Sequence, residues 1–286
     1  MKKRLKKIGK ITLLLVVLLL IVLIVLFYQF STPKATHKIE KEFEKLSFPI
    51  SLSTKTYQKY KYRVLELQKK IDTTLPTIVF IHGSIGSILD FKKYLMDEEL
   101  NSRANLISYD RIGYGIYHTG NVQESIQFET NLLEDLIKNI PSKKVILVGY
   151  SYGGPIALAS KKKYKKIILL APAVFSNKEV MPWALNFYKW KLTKNLIPKT
   201  WQAASKEKLS HQKDLEKFEN SWNKNPSTIL SIHGNDDGIV PYENSLYLKN
   251  NISPQQFELV TLDGVGHGLV WSNFKQIKSI LLQQIN

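Results

Sequence analysis

KVILVGYSYGGPIALA, Lys144 to Ala159, changes character at its middle. Val145 to Val148 is an unbroken apolar run of the kind that forms a strand buried on both faces, and Pro155 to Ala159 reads as the opening of an apolar helix. Between them Gly149, Ser151 and Gly153 spell G-x-S-x-G, followed by Gly154. A strand that turns straight into a helix strains the residue at the bend, and side chains two positions to either side would collide with the turn, which leaves glycine there. Ser151 is therefore expected at the carboxyl edge of a sheet and at the amino end of a helix, where partial positive charge favours a developing anion. Pro155 suits a first helical turn, because its missing N–H has no intrahelical partner there. The strand before and the helix after make this a nucleophile-presenting turn rather than a glycine turn with an incidental serine.

Outward from this turn the chain alternates strand, loop and helix. Thr77 to Ile81 is a buried strand ending in His82-Gly83-Ser84-Ile85-Gly86, and Ile88 to Leu100 has helical spacing. Asn105 to Tyr109 is the next strand, ending in Asp110-Arg111-Ile112-Gly113-Tyr114-Gly115, and a helix from Asn121 to Ile140 is stopped by Pro141. After the central turn come the strand Lys166 to Leu170 and the strand Thr228 to Ile232, which runs into His233-Gly234-Asn235-Asp236-Asp237-Gly238-Ile239-Val240-Pro241. A helix from Glu243 to Lys249, a strand from Phe257 to Thr261, the loop Gly264-Val265-Gly266-His267-Gly268 and a last helix to about Gln284 complete the series. This order predicts an α/β fold, a mainly parallel sheet with helices on both faces and functional loops at the carboxyl ends of its strands. Tyr57 to Gln68 reads as an antiparallel edge strand that opens the domain, residues 57–286. Val174 to Pro226 breaks the alternation with Trp183, Trp190, Trp201, Trp222, Phe175, Phe187, Tyr188 and Phe218 at spacings that suit short amphipathic helices. It is expected to be a cap inserted over the sheet, residues 174–226.

The N-terminus is of a different kind. Ile11 to Phe27 is apolar apart from Thr12, and Tyr28 and Phe30 extend it to about 20 residues, the length a helix needs to cross a bilayer. A cleaved signal peptide is the competing reading. Its apolar run is usually about 7 to 15 residues, and Ser31-Thr32-Pro33-Lys34 is a poor cleavage site, so residues 11–30 are expected to be a transmembrane anchor. Lys2, Lys3, Arg4, Lys6, Lys7 and Lys10 precede the first acidic residue, Glu40, which puts residues 1–10 in the cytoplasm and the rest of the chain outside by the positive-inside bias. Residues 31–56 are expected to be a stalk or linker, in which the weakly amphipathic His37 to Leu46 lies over the membrane or packs on the domain. The net charge of +17 stays at +11 from residue 31 onward, but it is carried almost wholly by scattered lysines. That pattern suits a solvated surface better than a nucleic-acid partner, so none is expected. The chain has no cysteine, which excludes disulfides, thiolate metal sites and a thiol nucleophile.

A serine hydroxyl is a poor nucleophile until a base takes its proton, and that base must itself be oriented. His267, in a glycine-rich loop after the last strand, is free to swing over Ser151, and an acid on the preceding strand's loop can hold its other ring nitrogen. No histidine pair has the spacing of a metal site, and neither metal nor cofactor is expected. Taken together, His82-Gly83, Asp110-Arg111-x-Gly113-x-Gly115, Gly149-x-Ser151-x-Gly153, His233-Gly234-x-x-Asp237-x-x-Val240-Pro241 and Gly266-His267 make the chain from Tyr57 to Asn286 resemble the α/β-hydrolase fold enzymes.

That resemblance implies Ser151 as nucleophile, Asp237 as acid and His267 as base, with Asp236 one position off the family spacing. It also implies an oxyanion hole made of the backbone N–H groups of Ser84 and Tyr152. His82 and His233 are expected to shape their loops by local hydrogen bonds. A serine at this position speaks against the dehalogenase and epoxide hydrolase branches, which use aspartate. The expected activity is hydrolysis of a carboxylic ester or related acyl bond through an acyl-enzyme, with a small, apolar acyl substrate. Two alternatives stand beside it: a capped serine aminopeptidase and a non-catalytic binding protein on the same fold. The aminopeptidase needs an anion near the cap for the substrate ammonium, with Glu179, Asp214, Glu216 and Glu219 as candidates.

Overall fold

The computed structural model describes residues 2–44, 46, 48–67 and 71–285. Met1, Lys45, Gln68 and Asn286, each within a segment expected above, lie outside them. Eight strands, β1 (Ser51–Tyr57), β2 (Tyr60–Glu66), β3 (Thr77–Ile81), β4 (Asn105–Tyr109), β5 (Val145–Tyr150), β6 (Lys166–Leu170), β7 (Ile229–Gly234) and β8 (Phe257–Leu262), form one sheet in the order β1-β2-β4-β3-β5-β6-β7-β8. The first two strands make an antiparallel hairpin, β2 joins β4 antiparallel, and all later pairings are parallel.

The continuous apolar runs form the central strands because helices cover both faces. From β3 to β7 every residue is buried except Lys166, which is half-buried. Successive side chains alternate between two cores, as a period of two requires. Ile78, Phe80, Ile146 and Val148 fill one; Val79, Ile81, Val145 and Leu147 fill the other. Ile81 lies opposite Gly149, and Leu170 lies opposite both Tyr150 and Ile232. The loops that follow β3, β5, β6 and β7 therefore emerge at one edge of the sheet, beside each other.

Several expected elements are placed differently. Residues 31–56 are not a free stalk. The helix Thr36–Phe43 buries Ile39 and Phe43 in the core of Ile78 and Phe80, each worth about 1.5–3 kcal/mol of burial, and Ser51–Tyr57 is itself a strand. The edge of the sheet is consequently β1, not the segment beginning at Tyr57, and the domain starts well before residue 57. The stretch from Ile88 to Leu100 is two short helices, Lys92–Leu95 and Glu98–Arg103, because the Asp97 carboxylate accepts from the Leu100 N–H at 3.0 Å and starts a new one. The helix expected from Asn121 begins at Ile126, capped by Ser125, and ends at Leu136.

The cap contains the helices Leu185–Lys189, Lys191–Lys194 and Lys199–Leu215 and the 3-10 turn Glu219–Lys224. Of its tryptophans only Trp222 is buried, stacked on Phe218 and donating its indole N–H to the Val174 carbonyl at 3.0 Å. The N-terminal helix Lys2–Ser31 is long and apolar enough from Arg4 onward to cross a bilayer, and its most apolar stretch packs against nothing in the described residues. Its last turn touches the cap: Thr200 Oγ1 donates to the Ser31 carbonyl at 2.7 Å, Trp201 Nε1 donates to Ser31 Oγ at 2.9 Å, and the Phe27 and Trp201 rings lie 5.2 Å apart.

Candidate active site

At the end of β5 the backbone turns so sharply that Ser151 takes φ +52°, a left-handed conformation that costs a non-glycine residue on the order of 1 kcal/mol or more. The turn is held from three sides. Ser151 N–H donates to the Leu170 carbonyl at 2.9 Å, and the Ser151 carbonyl accepts from Gly154 and Ala173. A Cβ on Gly149 would stand 2.4 Å from the Gly153 carbonyl oxygen, and one on Gly153 would stand 2.2 Å from that of Ile81. Both are backbone contacts that cannot yield, so glycine is required by close approach at the two flanking positions.

Three strand-end loops meet at this serine. His267 Nε2 is 3.2 Å from Ser151 Oγ, and His267 Nδ1 is 2.7 Å from Asp237 Oδ2. An ionised carboxylate can only accept, so Nδ1 carries the proton and donates, leaving the Nε2 lone pair facing the Ser151 hydroxyl. Asp237 is held in turn by the N–H groups of Ile239 and Val240, both donating to Oδ1 at 2.9 Å. Burial works to raise its carboxyl, but hydrogen bonds from His233 and His267 and the backbone of Val240 outweigh it and hold the group well below the usual carboxylate range. The His267 loop is pinned by Tyr150, whose hydroxyl donates to the His267 carbonyl at 2.9 Å and whose ring lies against the imidazole. Asp236 is exposed.

The histidines expected to act locally do so. His233 Nε2 donates to the Val240 carbonyl at 3.0 Å, with Asp237 Oδ2 at 3.3 Å, and its Nδ1 pairs with the Ser245 hydroxyl. His82 Nδ1 donates to the Gly83 carbonyl and its Nε2 accepts from the Arg111 N–H. Both ring nitrogens are thus committed with the ring neutral, and burial beside Arg111 pushes its pKa down to about 3. The loop after β3 lies against Ser151, since a Cβ on Gly83 would sit 2.9 Å from Ser151 Cβ. The backbone N–H groups of Ser84 and Tyr152 donate to no acceptor among the described residues.

One acidic cap residue escaped the reading of the sequence. Glu207, on the helix Lys199–Leu215, is buried and accepts from Ser84 Oγ at 2.8 Å and Tyr114 Oη at 2.5 Å, and it forms an ion pair with Arg111. Arg111 is itself wholly buried, with its guanidinium 4.4 Å from the Tyr152 ring centre and 3.7 Å from Glu129. This knot joins the cap to the loops after β3 and β4 directly beside the turn. In the chain it is one of four cap glutamates, set between Lys206 and Lys208.

A family model of the alpha/beta hydrolases matches residues 78–276, and the chain belongs to the alpha/beta hydrolase family. It is 22% identical over 199 residues to the alpha/beta hydrolase domain-containing protein aho-3 of Caenorhabditis elegans, a match covering 67% of this chain; the chain spans about half the length of that relative, 52%. Among solved structures, an esterase from Exiguobacterium antarcticum superposes with a TM-score of 0.64 at 18% identity, over 82% of this chain and 98% of the other. A 2-hydroxy-6-oxo-6-phenylhexa-2,4-dienoate hydrolase from Rhodococcus sp. strain RHA1 gives 0.65 at 17%, over 83% and 99%. A membrane phospholipase A described as a bacterial virulence factor gives 0.61 at 14%, over 96% and 97%. At these identities the likeness is one of fold.

Proposed function

We propose that this alpha/beta hydrolase is a membrane-anchored serine hydrolase that cleaves a carboxylic ester through an acyl-enzyme. The observation that carries the reading is the unbroken chain from Asp237 through His267 to Ser151, with contacts of 2.7 and 3.2 Å. Ser151 Oγ attacks the acyl carbon as His267 Nε2 takes its proton. Asp237 keeps the imidazole in the required tautomer and stabilises the imidazolium. The oxyanion is met by the free N–H groups of Ser84 and Tyr152. His267 then gives its proton to the leaving alkoxide, and water repeats the sequence on the acyl-enzyme.

An ester is favoured over a peptide with a free amino terminus by the state of the cap acids. Glu179 holds Lys208 and His211, Asp214 accepts from the Ile126 N–H and pairs with Lys217, Glu219 accepts from Ser176, and Glu216 is exposed. Glu179, Asp214 and Glu219 are committed within the fold, which leaves only exposed Glu216, open to solvent, for an ammonium. The fold is shared with an esterase and with a membrane phospholipase, which fits the choice of an ester bond. The span Arg4–Ser31 would hold the enzyme in the membrane, with the basic start of the chain inside and the domain outside.

The test is labelling of the full-length protein by a fluorophosphonate probe, with Ser151→Ala as the control. Labelling lost in the variant is the expected result; an unlabelled wild type, or an equally labelled variant, sinks the enzyme reading. Preference for aminoacyl-nitroanilides over p-nitrophenyl esters would overturn the choice of bond. Carbonate-washed membranes should retain the protein.

A further inference from the structure

The cap carries an apolar face that its own folding does not use. The helix Leu185–Lys189 buries Leu185 and Tyr188 toward the domain, so its inner contacts are already made. Outward, Val180, Met181, Trp183, Phe187, Trp190, Leu192 and Leu196 are all exposed, Leu192 to 91% and Leu196 to 69%. They account for seven of the twelve large exposed hydrophobic side chains described outside the anchor helix. Trp183, Phe187 and Trp190 touch one another edge to face, with ring centres 5.3, 5.7 and 6.5 Å apart, so they form one patch rather than scattered side chains. A contiguous exposed patch of this kind marks an interaction surface.

Its position and charge identify the partner. Leu196 precedes Thr200 by four residues, which limits the separation of their Cα atoms to about 15 Å, and Thr200 is bonded to Ser31, the last residue of the anchor helix. Gln202 ties the intervening loop down by donating to the Lys194 and Ile197 carbonyls. Leu196, at one end of the patch, therefore lies close to the end of the anchor helix, whose last turn also exposes Tyr28 and Phe30. Between Val180 and Lys206 there is no acidic residue, while Lys189, Lys191, Lys194 and Lys199 are all exposed. Tryptophans at headgroup depth with lysines reaching past them are the composition of a surface that lies in an anionic membrane interface.

We propose that residues 180–196 are a membrane-docking face, seated in the anionic lipid surface beside the anchor. The proposal rests on the anchored reading above, and it makes the cap, as well as the N-terminal helix, a membrane element. It needs no catalytic step and is tested without one. The chain has no cysteine, so Leu192→Cys provides a single attachment point for an environment-sensitive fluorophore. Lys143→Cys, exposed just before β5 and so at the other edge of the sheet from the cap, is the control. The full-length labelled proteins are reconstituted into vesicles of phosphatidylcholine and phosphatidylglycerol, and acyl-brominated lipids are added as a contact quencher.

The expected result is a blue shift and bromolipid quenching at position 192 and neither at position 143. Tryptophan quenching by the same lipids should fall in the double variant Trp183→Phe, Trp190→Phe, relative to wild type. Protein that sediments with the vesicles but shows no shift or quenching at 192 overturns the docking face and leaves the anchor standing. Failure to sediment overturns both. Disulfide formation between unlabelled Leu192→Cys chains, with no lipid quenching, would assign the face to a second copy instead. Fluorophosphonate labelling of each variant reports its folding and the hydrolase reading separately.

Discussion

The turn at Ser151 and the outer face of the cap are built on opposite terms. At the turn, backbone atoms approach so closely that two positions admit only glycine, and each polar group of Asp237 and His233 has a partner. On the cap, seven large apolar side chains face outward and the backbone beneath them includes two short helices. The first region stores strain in order to aim one hydroxyl. The second leaves surface uncovered, which is stable only if something outside covers it. Between them stands the Arg111–Glu207 knot, the single buried ion pair that joins a cap helix to the loop after β4 among the described residues.

Substitutions can sharpen or break that contrast. The largest effect is expected at the acid: Asp237→Asn should lower the turnover of an activated ester by about 10⁴-fold, because the His267 tautomer is no longer fixed. Asp236→Asn should stay near wild type in the same assay, and the opposite pattern would move the acid one residue. Next comes the knot. Glu207→Ala leaves Arg111 buried without its main partner, at about 3–5 kcal/mol in denaturant unfolding. A loss under about 1 kcal/mol would mean that the cap is held by something else.

Gly153→Ala drives a Cβ to 2.2 Å from the Ile81 carbonyl and should cost about 1–3 kcal/mol together with much of the activity. Gly238→Ala, with open space around it, should cost little and serves as the comparison. The smallest effect concerns pH. Burial pushes the Glu129 carboxyl up to about 7, so the folded state holds a proton that the unfolded chain releases near its ordinary carboxylate value. The contribution of this group to stability is full below about pH 4, falls as pH rises, and is lost above about 7. Glu129→Gln should therefore raise Tm more at pH 8 than at pH 4, by several °C. Equal shifts at the two pH values would rule out burial of an uncompensated carboxyl.

What was legible in the sequence follows the same division. The strands Thr77–Ile81, Asn105–Tyr109 and Lys166–Leu170 were readable to the residue because strands covered on both faces are continuous apolar runs bounded by loops. Ser51–Tyr57 was not, since SLSTKTY at the edge of a sheet is half exposed and carries no apolar pattern. Thr36–Phe43 was readable as amphipathic, but two apolar positions do not say which core receives them. The short-range signal of Asp97 before Glu98 and Glu99 would have divided the helix expected from Ile88. Ser151, Asp237 and His267 could be named from loop motifs because each lies at a strand end, and the structure brings the three side chains into contact. Glu207 could not. Its partners lie 93 to 123 residues away in the chain, and nothing local distinguishes it from the other cap glutamates.

The bonds from Thr200 and Trp201 to Ser31 also decide how the N-terminal helix is joined to the domain. A flexible linker of 20 residues would let a tethered enzyme wander over about 25 Å. Here four residues separate Ser31 from a helix packed in the core, and Ser31 is itself clasped by the cap, while Arg63 Nη1 donates to the Lys34 carbonyl at 2.6 Å. That joint has no slack. In a bilayer the domain would turn with its anchor as one lever, and since a helix longer than the hydrocarbon layer tilts to fit, membrane thickness would become a setting for where Ser151 points.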